Sequence, residues 1–308
     1  MAFTALDVKK LREMTNVGMM DCKAALAATD GDMDKAVDWL REKGLAKAAK
    51  KADRIAAEGV AYATVVDGVG VVIEVNSETD FAAKTESFMD LVKNLAVVVA
   101  QQNPADVEAL KACTYPNSTL TVTEIMQEKV MSIGENMQIR RFDRFATGTS
   151  VAYVHMGGTH GVLVNLEVEG DIDATEIGKN VAMQIAAMNA KYWDKSLVPQ
   201  AEVDKEMSVQ LALMENDPKM ASKPAQVKEK IAAGKINAFY KDICLLQQDF
   251  VRSDIFQGDV AGYIADAGKK LGGKVAFVNA IHYVKGEGIE KKEENFAAEV
   301  AAQIAGAK

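Results

Sequence analysis

The sequence predicts an α+β fold: an N-terminal three-helix module, a duplicated hairpin-plus-helix α+β core, a helical-hairpin insertion and a C-terminal helix. Three observations carry this prediction. Apolar residues recur at helical spacing up to about residue 57 and switch to strand alternation from Gly59. The hairpin-then-helix pattern that starts there returns near residue 151. A long helical stretch then interrupts the second occurrence. On this basis we divide the chain into residues 1–54, 55–145, 146–282 with an insertion at about 195–240, and 283–308.

Residues 1–44 read as three short helices. Thr4 can cap the first, with Asp7 in its first turn and Val8, Leu11 and Met14 as its apolar stripe. Thr15-Asn16-Val17-Gly18 breaks it, and a second helix carries Met20, Cys22, Ala25 and Leu26. Asp32 can cap a third, with Val37 and Leu40 facing inward and Gly44 ending it. Three short helices make a small core that is marginal alone, and such a bundle is commonly a docking piece. A Lys/Ala-rich helical linker, residues 45–57, follows.

Residues 60–66 and 71–76 read as strands joined around Asp67-Gly68, a hairpin signal. Val71, Ile73 and Val75 alternate onto one face. A short loop, residues 77–81, leads into a helix with Phe88, Leu91, Val92, Leu95 and Val99 in line. Residues 104–134 supply two more helices, and residues 137–144 a further strand. The second copy has strands at 151–156 and 161–169 around Gly157-Gly158, with Val162, Val164, Leu166 and Val168 on one face. Ile177, Val181, Ile185 and Met188 follow at helical spacing. Ile73-Glu74-Val75 and Leu166-Glu167-Val168 occupy matching places.

The insertion holds two helical stripes. Val203, Met207, Leu211 and Met214 form one; Val227, Ile231, Ile236, Phe239, Ile243 and Leu246 form the other. Asn216-Asp217-Pro218 and Lys223-Pro224 turn the chain between them. Such a hairpin has too little core to stand free, so it projects and packs on something, a second copy of itself among the candidates. Residues 262–268 read as helix, 274–284 as strand, and 294–304 as a terminal helix with Phe296, Val300 and Ile304 on one side.

Composition narrows the function. A formal net charge of −8 works against phosphate-tracking by the whole molecule, so a partner protein is favoured over direct nucleic acid. The basic run Lys47, Lys50, Lys51 and Arg54 reads as a solvated helix face. Three well-separated cysteines suggest a reducing compartment without a disulfide framework. No stretch has the roughly 18 apolar residues that a bilayer span needs, and the N-terminus lacks a signal-like apolar region. The expectation is a cytoplasmic protein without membrane contact.

Enzyme chemistry finds little support. Gly268 to Lys274 has P-loop spacing, but Val275 stands where the Mg²⁺-binding hydroxyl belongs, and the segment runs from helix to strand. His155 and His160 flank the second hairpin turn without a third ligand near in sequence, so no metal or other cofactor is expected. No strained Ser or Cys elbow announces a nucleophile. What stands out is Glu78-Thr79-Asp80-Phe81, between a strand and a helix. Either Thr79 or Asp80 caps that helix while Phe81 staples its first turn, or Asp80 and Phe81 protrude as an acid-plus-aromatic wedge. The second copy has Gly170-Asp171-Ile172 there, in a shorter loop.

Four separated motifs resemble the elongation factor Ts family. Leu11-Arg12-Glu13-Met14-Thr15 with Gly18-Met19-Met20-Asp21-Cys22-Lys23 is similar to its N-terminal signature. Glu74-Val75-Asn76-Ser77-Glu78-Thr79-Asp80-Phe81 is similar to its second. Leu245-Leu246-Gln247-Gln248-Asp249-Phe250-Val251 fits the run after the helical insertion, and Gly286-Glu287-Gly288-Ile289-Glu290-Lys291 fits the terminal module. Asn16, Ala24 and Ala82 depart from the usual family residues. The resemblance implies a non-enzymatic guanine-nucleotide exchange factor for elongation factor Tu. It implies docking of a ubiquitin-associated-like helical module through Arg12, Met19 and Met20. It further implies a Thr79-Asp80-Phe81 loop that disturbs the partner's Mg²⁺ and phosphate site to release GDP, and a contact near His155. A rival of another class is a scaffold that binds without accelerating release.

Overall fold

The computed structural model describes residues 3–15 and 17–290. The expected terminal helix at 294–304 and the break residue Asn16 lie outside the described residues. The described chain forms two compact units. One holds residues up to Val60, Glu74–Arg141 and the segment from Val284; the other holds Ala61–Ile73 and Phe142–Tyr283.

The first unit opens with three helices, α1 (Ala5–Thr15), α2 (Met19–Ala28) and α3 (Met33–Lys51). Thr4 and Asp7 cap α1 reciprocally: the Asp7 N–H donates to Thr4 Oγ1 at 3.3 Å and the Thr4 N–H to Asp7 Oδ2 at 2.8 Å. Asp32 caps α3 by accepting from the Lys35 N–H at 3.1 Å. Val8, Leu11, Cys22, Ala25, Leu26, Ala36 and Leu40 form the shared core. Gly44 does not end α3, as the sequence suggested; the helix runs through it to Lys51. A Cβ there would meet Met131 Sδ at 2.8 Å, so its missing side chain serves the close approach of α3 to helix α7 (Val122–Ile133). This packing, with Arg41 Nε 3.1 Å from Glu128 Oε1, supplements the small three-helix core.

Strands β1 (Glu58–Val66) and β2 (Val69–Ser77) follow, joined by Asp67 and Gly68 at φ of 50° and 81°. Two successive left-handed residues make the turn whose twist matches a hairpin. Next come the one-turn helix α4 (Asp80–Ala83), α5 (Glu86–Gln102), α6 (Val107–Ala112), α7 and strand β3 (Met137–Phe145). The sheet order is β1-β2-β3, so β2 is the middle strand. Its buried face is not only Val71, Ile73 and Val75, for Val72, Glu74 and Asn76 are buried too. Gly59 has φ of 121°, and a Cβ there would lie 2.1 Å from the Val75 carbonyl oxygen. We expect Gly59→Ala to destabilise the protein by about 3 kcal/mol, read as a lowered denaturant midpoint, because strain and overlap add.

In the second unit, strands β4 (Thr149–His155) and β5 (His160–Glu169) pair antiparallel with His155 opposite His160. Met156 is not in the strand, as the periodicity suggested. It starts a tight turn with Gly157 and Gly158, all three at positive φ, and its side chain is exposed. Helices α8 (Thr175–Met188), α9 (Gln200–Asn216), α10 (Pro218–Ala221), α11 (Ala225–Ile243) and α12 (Val260–Lys270) precede strand β6 (Lys274–Val284), which completes the order β4-β5-β6. Val162, Val164 and Leu166 pack with Ile177, Val181 and Ile185 of α8 and Val260 and Ile264 of α12. Met188, the last residue of the predicted stripe, is exposed. Each copy therefore reads hairpin, helices, return strand. Helices α9 and α11 pack against each other as the inserted helical hairpin.

Candidate functional site

The loop after β2 is built almost entirely from polar contacts. The Ser77 hydroxyl donates to the Thr79 carbonyl at 2.9 Å. Glu78 Oε1 accepts from the Asn136 N–H at 2.6 Å, and Arg54 Nη1 lies 3.4 Å from it. The Thr79 N–H and hydroxyl both donate to the Glu135 carboxylate, at 2.9 and 2.6 Å. The same hydroxyl oxygen accepts from the Ala82 N–H at 3.2 Å. Thr79, not Asp80, is thus the cap of α4. Asp80 opens the helix, where its negative charge suits the dipole. Lys84 Nζ lies 2.6 Å from Asp80 Oδ2, and this hydrogen bond holds the Asp80 carboxyl below its ordinary value.

Phe81 does not staple the first turn. Its side chain is 79% exposed, while the neighbouring Ala82 and Ala83 are buried. The Lys84 ammonium stands 6.0 Å from its ring centroid. Burying a phenylalanine is worth about 1.5–3 kcal/mol, and here the free protein forgoes it. Acid, aromatic ring and lysine form one small protruding surface on a pinned turn.

The N-terminal helices present a second surface. Arg12 is exposed on α1. Met19 and Met20 open α2 and are 49% and 74% exposed, so neither is core. The reason is their position: the inward stripe of α2 is Cys22, Ala25 and Leu26, which starts one turn later. Exposed methionines make adaptable apolar contacts. The basic run is not simply solvated. Lys51 Nζ bonds the Gly134 carbonyl and Arg54 faces Glu78. The Lys47 side chain lies outside the described residues.

In the second unit, the Tyr153 hydroxyl and His155 Nδ1 are 2.8 Å apart. His160 Nδ1 lies 3.0 Å from His282 Nε2, with the rings stacked. A third histidine therefore joins the two at the turn, brought by β6, where spacing along the chain offered none. Burial, reinforced by the charge of His155, pushes the His160 ring below its ordinary pKa. Among the described residues no group of three His, Cys, Asp or Glu side chains is arranged to hold a metal ion. The P-loop spacing at Gly268–Lys274 is a helix end: α12 stops at Lys270, Gly272 has φ of 86°, and Lys274 pairs with Glu169 at 2.8 Å.

The structure thus places Thr79, Asp80 and Phe81 on one turn, Arg12, Met19 and Met20 on two adjoining helices, and His155 at the hairpin turn of the other unit. Glu135, Asn136 and Lys84, which complete the loop, carried no signal in the sequence. Glu135 lies 56 residues beyond Thr79. Among the described residues, no helix is long and apolar enough to cross a membrane. Residues 78–287 match the family described as Elongation factor TS. A curated relative named Elongation factor Ts, from a Nitratiruptor species, is 44% identical over 312 residues, spanning 99% of this chain and 100% of the relative.

Proposed function

The chain belongs to the elongation factor Ts family of translation elongation factors, and on that premise we propose that it is a guanine-nucleotide exchange factor for elongation factor Tu. The observation that carries the reading is Phe81, an aromatic ring left 79% exposed on a turn whose backbone is held by hydrogen bonds. In this reading the protein makes and breaks no covalent bond and works in the cytoplasm. Asp80 and Phe81 enter the partner's nucleotide site and disturb the water and side-chain shell of its Mg²⁺, which bridges protein and phosphate. Arg12, Met19 and Met20 dock the N-terminal module on the partner, and His155 marks a further contact. The helical hairpin of α9 and α11, with Leu213 exposed, is our candidate for self-association. The division at residues 54, 145 and 282 belongs to the same proposal.

Exchange requires that factor and nucleotide weaken each other's binding by the same factor. A coupling of about 3 kcal/mol corresponds to roughly 150-fold. Calorimetry of the protein with elongation factor Tu, nucleotide-free and GDP-loaded, tests this. Equal affinities in the two states would mark a scaffold instead. In the same assay we expect Met19→Ser with Met20→Ser to weaken binding about tenfold, since two apolar contacts are lost from an interface. Unchanged affinity would remove the methionines from the docking surface.

A further inference from the structure

The turn that carries Phe81 has few means of holding itself in place. Helix α4 is four residues long, and the Phe81 side chain is too exposed to anchor it. Buried Ala82 and Ala83 seat it, and the segment after α7 completes its cap. Glu135 takes both hydrogens of Thr79 on its two oxygens, at 2.9 and 2.6 Å. Because the Thr79 hydroxyl hydrogen is committed to Glu135, an oxygen lone pair is left for the Ala82 N–H, at 3.2 Å. One carboxylate therefore fixes the hydroxyl rotor that makes the cap.

The neighbouring residues complete a reciprocal clasp. Glu78 reaches the Asn136 N–H at 2.6 Å, so each segment supplies a carboxylate to the other's backbone. Asn136 Nδ2 in turn donates to the Arg54 and Ala52 carbonyls, at 2.8 and 3.3 Å. Gly134, at φ of 89°, ends α7 and turns Glu135 and Asn136 toward the loop. The chain that follows α3, the end of α7 and the start of α4 are tied at one point.

We propose that Glu135 is a positioning residue for nucleotide exchange, holding Thr79 so that Asp80 and Phe81 are presented in one fixed attitude before the partner binds. The inference rests on the reading of the Asp80–Phe81 loop given above. A loop already ordered in the free protein loses less conformational freedom on binding. With docking supplied by the N-terminal module, removing the clasp lowers the fraction of docked complexes whose loop is in the competent attitude, and the maximal release rate falls by that fraction.

The test is a double-mutant cycle on GDP release from elongation factor Tu, followed with a fluorescent GDP over a range of factor concentrations. We expect Glu135→Ala to lower the maximal release rate about tenfold, with the half-saturating concentration changed by less than about twofold. Glu135→Gln, which keeps one acceptor oxygen, falls between the two. In the Phe81→Ala background, Glu135→Ala should cost less than about threefold more, well short of its effect alone, because it acts only through Asp80 and the ring it positions. A merely structural role would instead multiply the two losses. If the alanine variant fails to fold, the glutamine variant carries the same cycle. A wild-type maximal rate for either Glu135 variant beside a slow Phe81→Ala overturns the proposal, as do independent losses in the double variant. A Phe81→Ala protein with unaltered release overturns the loop reading and this inference with it.

Discussion

Phe81→Ala is expected to slow stimulated GDP release from elongation factor Tu by about tenfold to a hundredfold while leaving the fold intact. The magnitude follows from what the ring can gain. An aromatic side chain this exposed in the free protein can bury on binding the area that is worth about 1.5–3 kcal/mol. If that contact forms only as nucleotide leaves, its loss appears in the rate, where about 1.4 kcal/mol is a factor of ten. Stability should change by less than about 0.5 kcal/mol, because the ring touches little in the free chain. Stopped-flow release and a thermal melt on the same variant separate the two effects. Unaltered release kinetics would contradict the wedge.

Glu74→Ala is expected to destabilise the protein by about 3 kcal/mol, as much as Gly59→Ala. Glu74 is fully buried in the middle strand of its sheet. Its Oε1 accepts from the Gly286 N–H at 2.8 Å, Arg140 Nη1 at 2.9 Å and Asn76 Nδ2 at 3.1 Å; its Oε2 accepts from Arg141 Nε at 2.7 Å. Removing one partner of a buried pair costs about 3–5 kcal/mol, and the lower end applies because both arginines are partly exposed. Burial alone would raise the Glu74 carboxyl; the hydrogen bonds from Gly286, Arg140, Asn76 and Arg141 outweigh it and hold the group below its ordinary value.

That depressed value gives the pH dependence a sign. An unfolded glutamate titrates near about 4.3. Above that pH the Glu74 contribution is fully present; it is lost as the pH falls through the lower folded value. The stability gap between the wild type and Glu74→Gln should therefore hold constant at neutral pH and shrink on acidification below about 4. Urea titrations at a series of pH values check this, and a gap that widens in acid would contradict the assignment.

Short-range signals were legible. The caps Thr4 and Asp32, the Asp67-Gly68 turn and the apolar stripes of α5 and α8 each depend on residues within a few positions of one another. The duplication was legible because each copy carries its own short-range hairpin and helix pattern. Whatever depended on a distant residue was not. Gly44 looks like a helix end until Met131 is placed against it. Glu74 and Glu167 sit in matching places, yet Glu167 is exposed and Glu74 is buried. The difference is made by Arg140 and Arg141, 66 and 67 residues further on.

The candidate site divides in the same way. Thr79, Asp80 and Phe81 could be singled out because an acid and an aromatic ring at a strand-to-helix junction are conspicuous locally. Whether Phe81 turned inward or outward could not be read, since both readings satisfy the cap. Glu135 was invisible: a carboxylate after a helix-ending glycine has nothing in its own surroundings to connect it with Thr79. The exposure of Met19 was likewise hidden, because two adjacent methionines at a helix start suit a core and a docking surface equally.

We propose that a pinned, exposed acid-and-aromatic turn acts inside another protein's nucleotide site. The most direct measurement is release of fluorescent GDP from elongation factor Tu, with excess unlabelled GDP and a substoichiometric amount of this protein. Each molecule of the protein should discharge many molecules of the GTPase, at a rate set by its own concentration. Binding without any acceleration of release would contradict it.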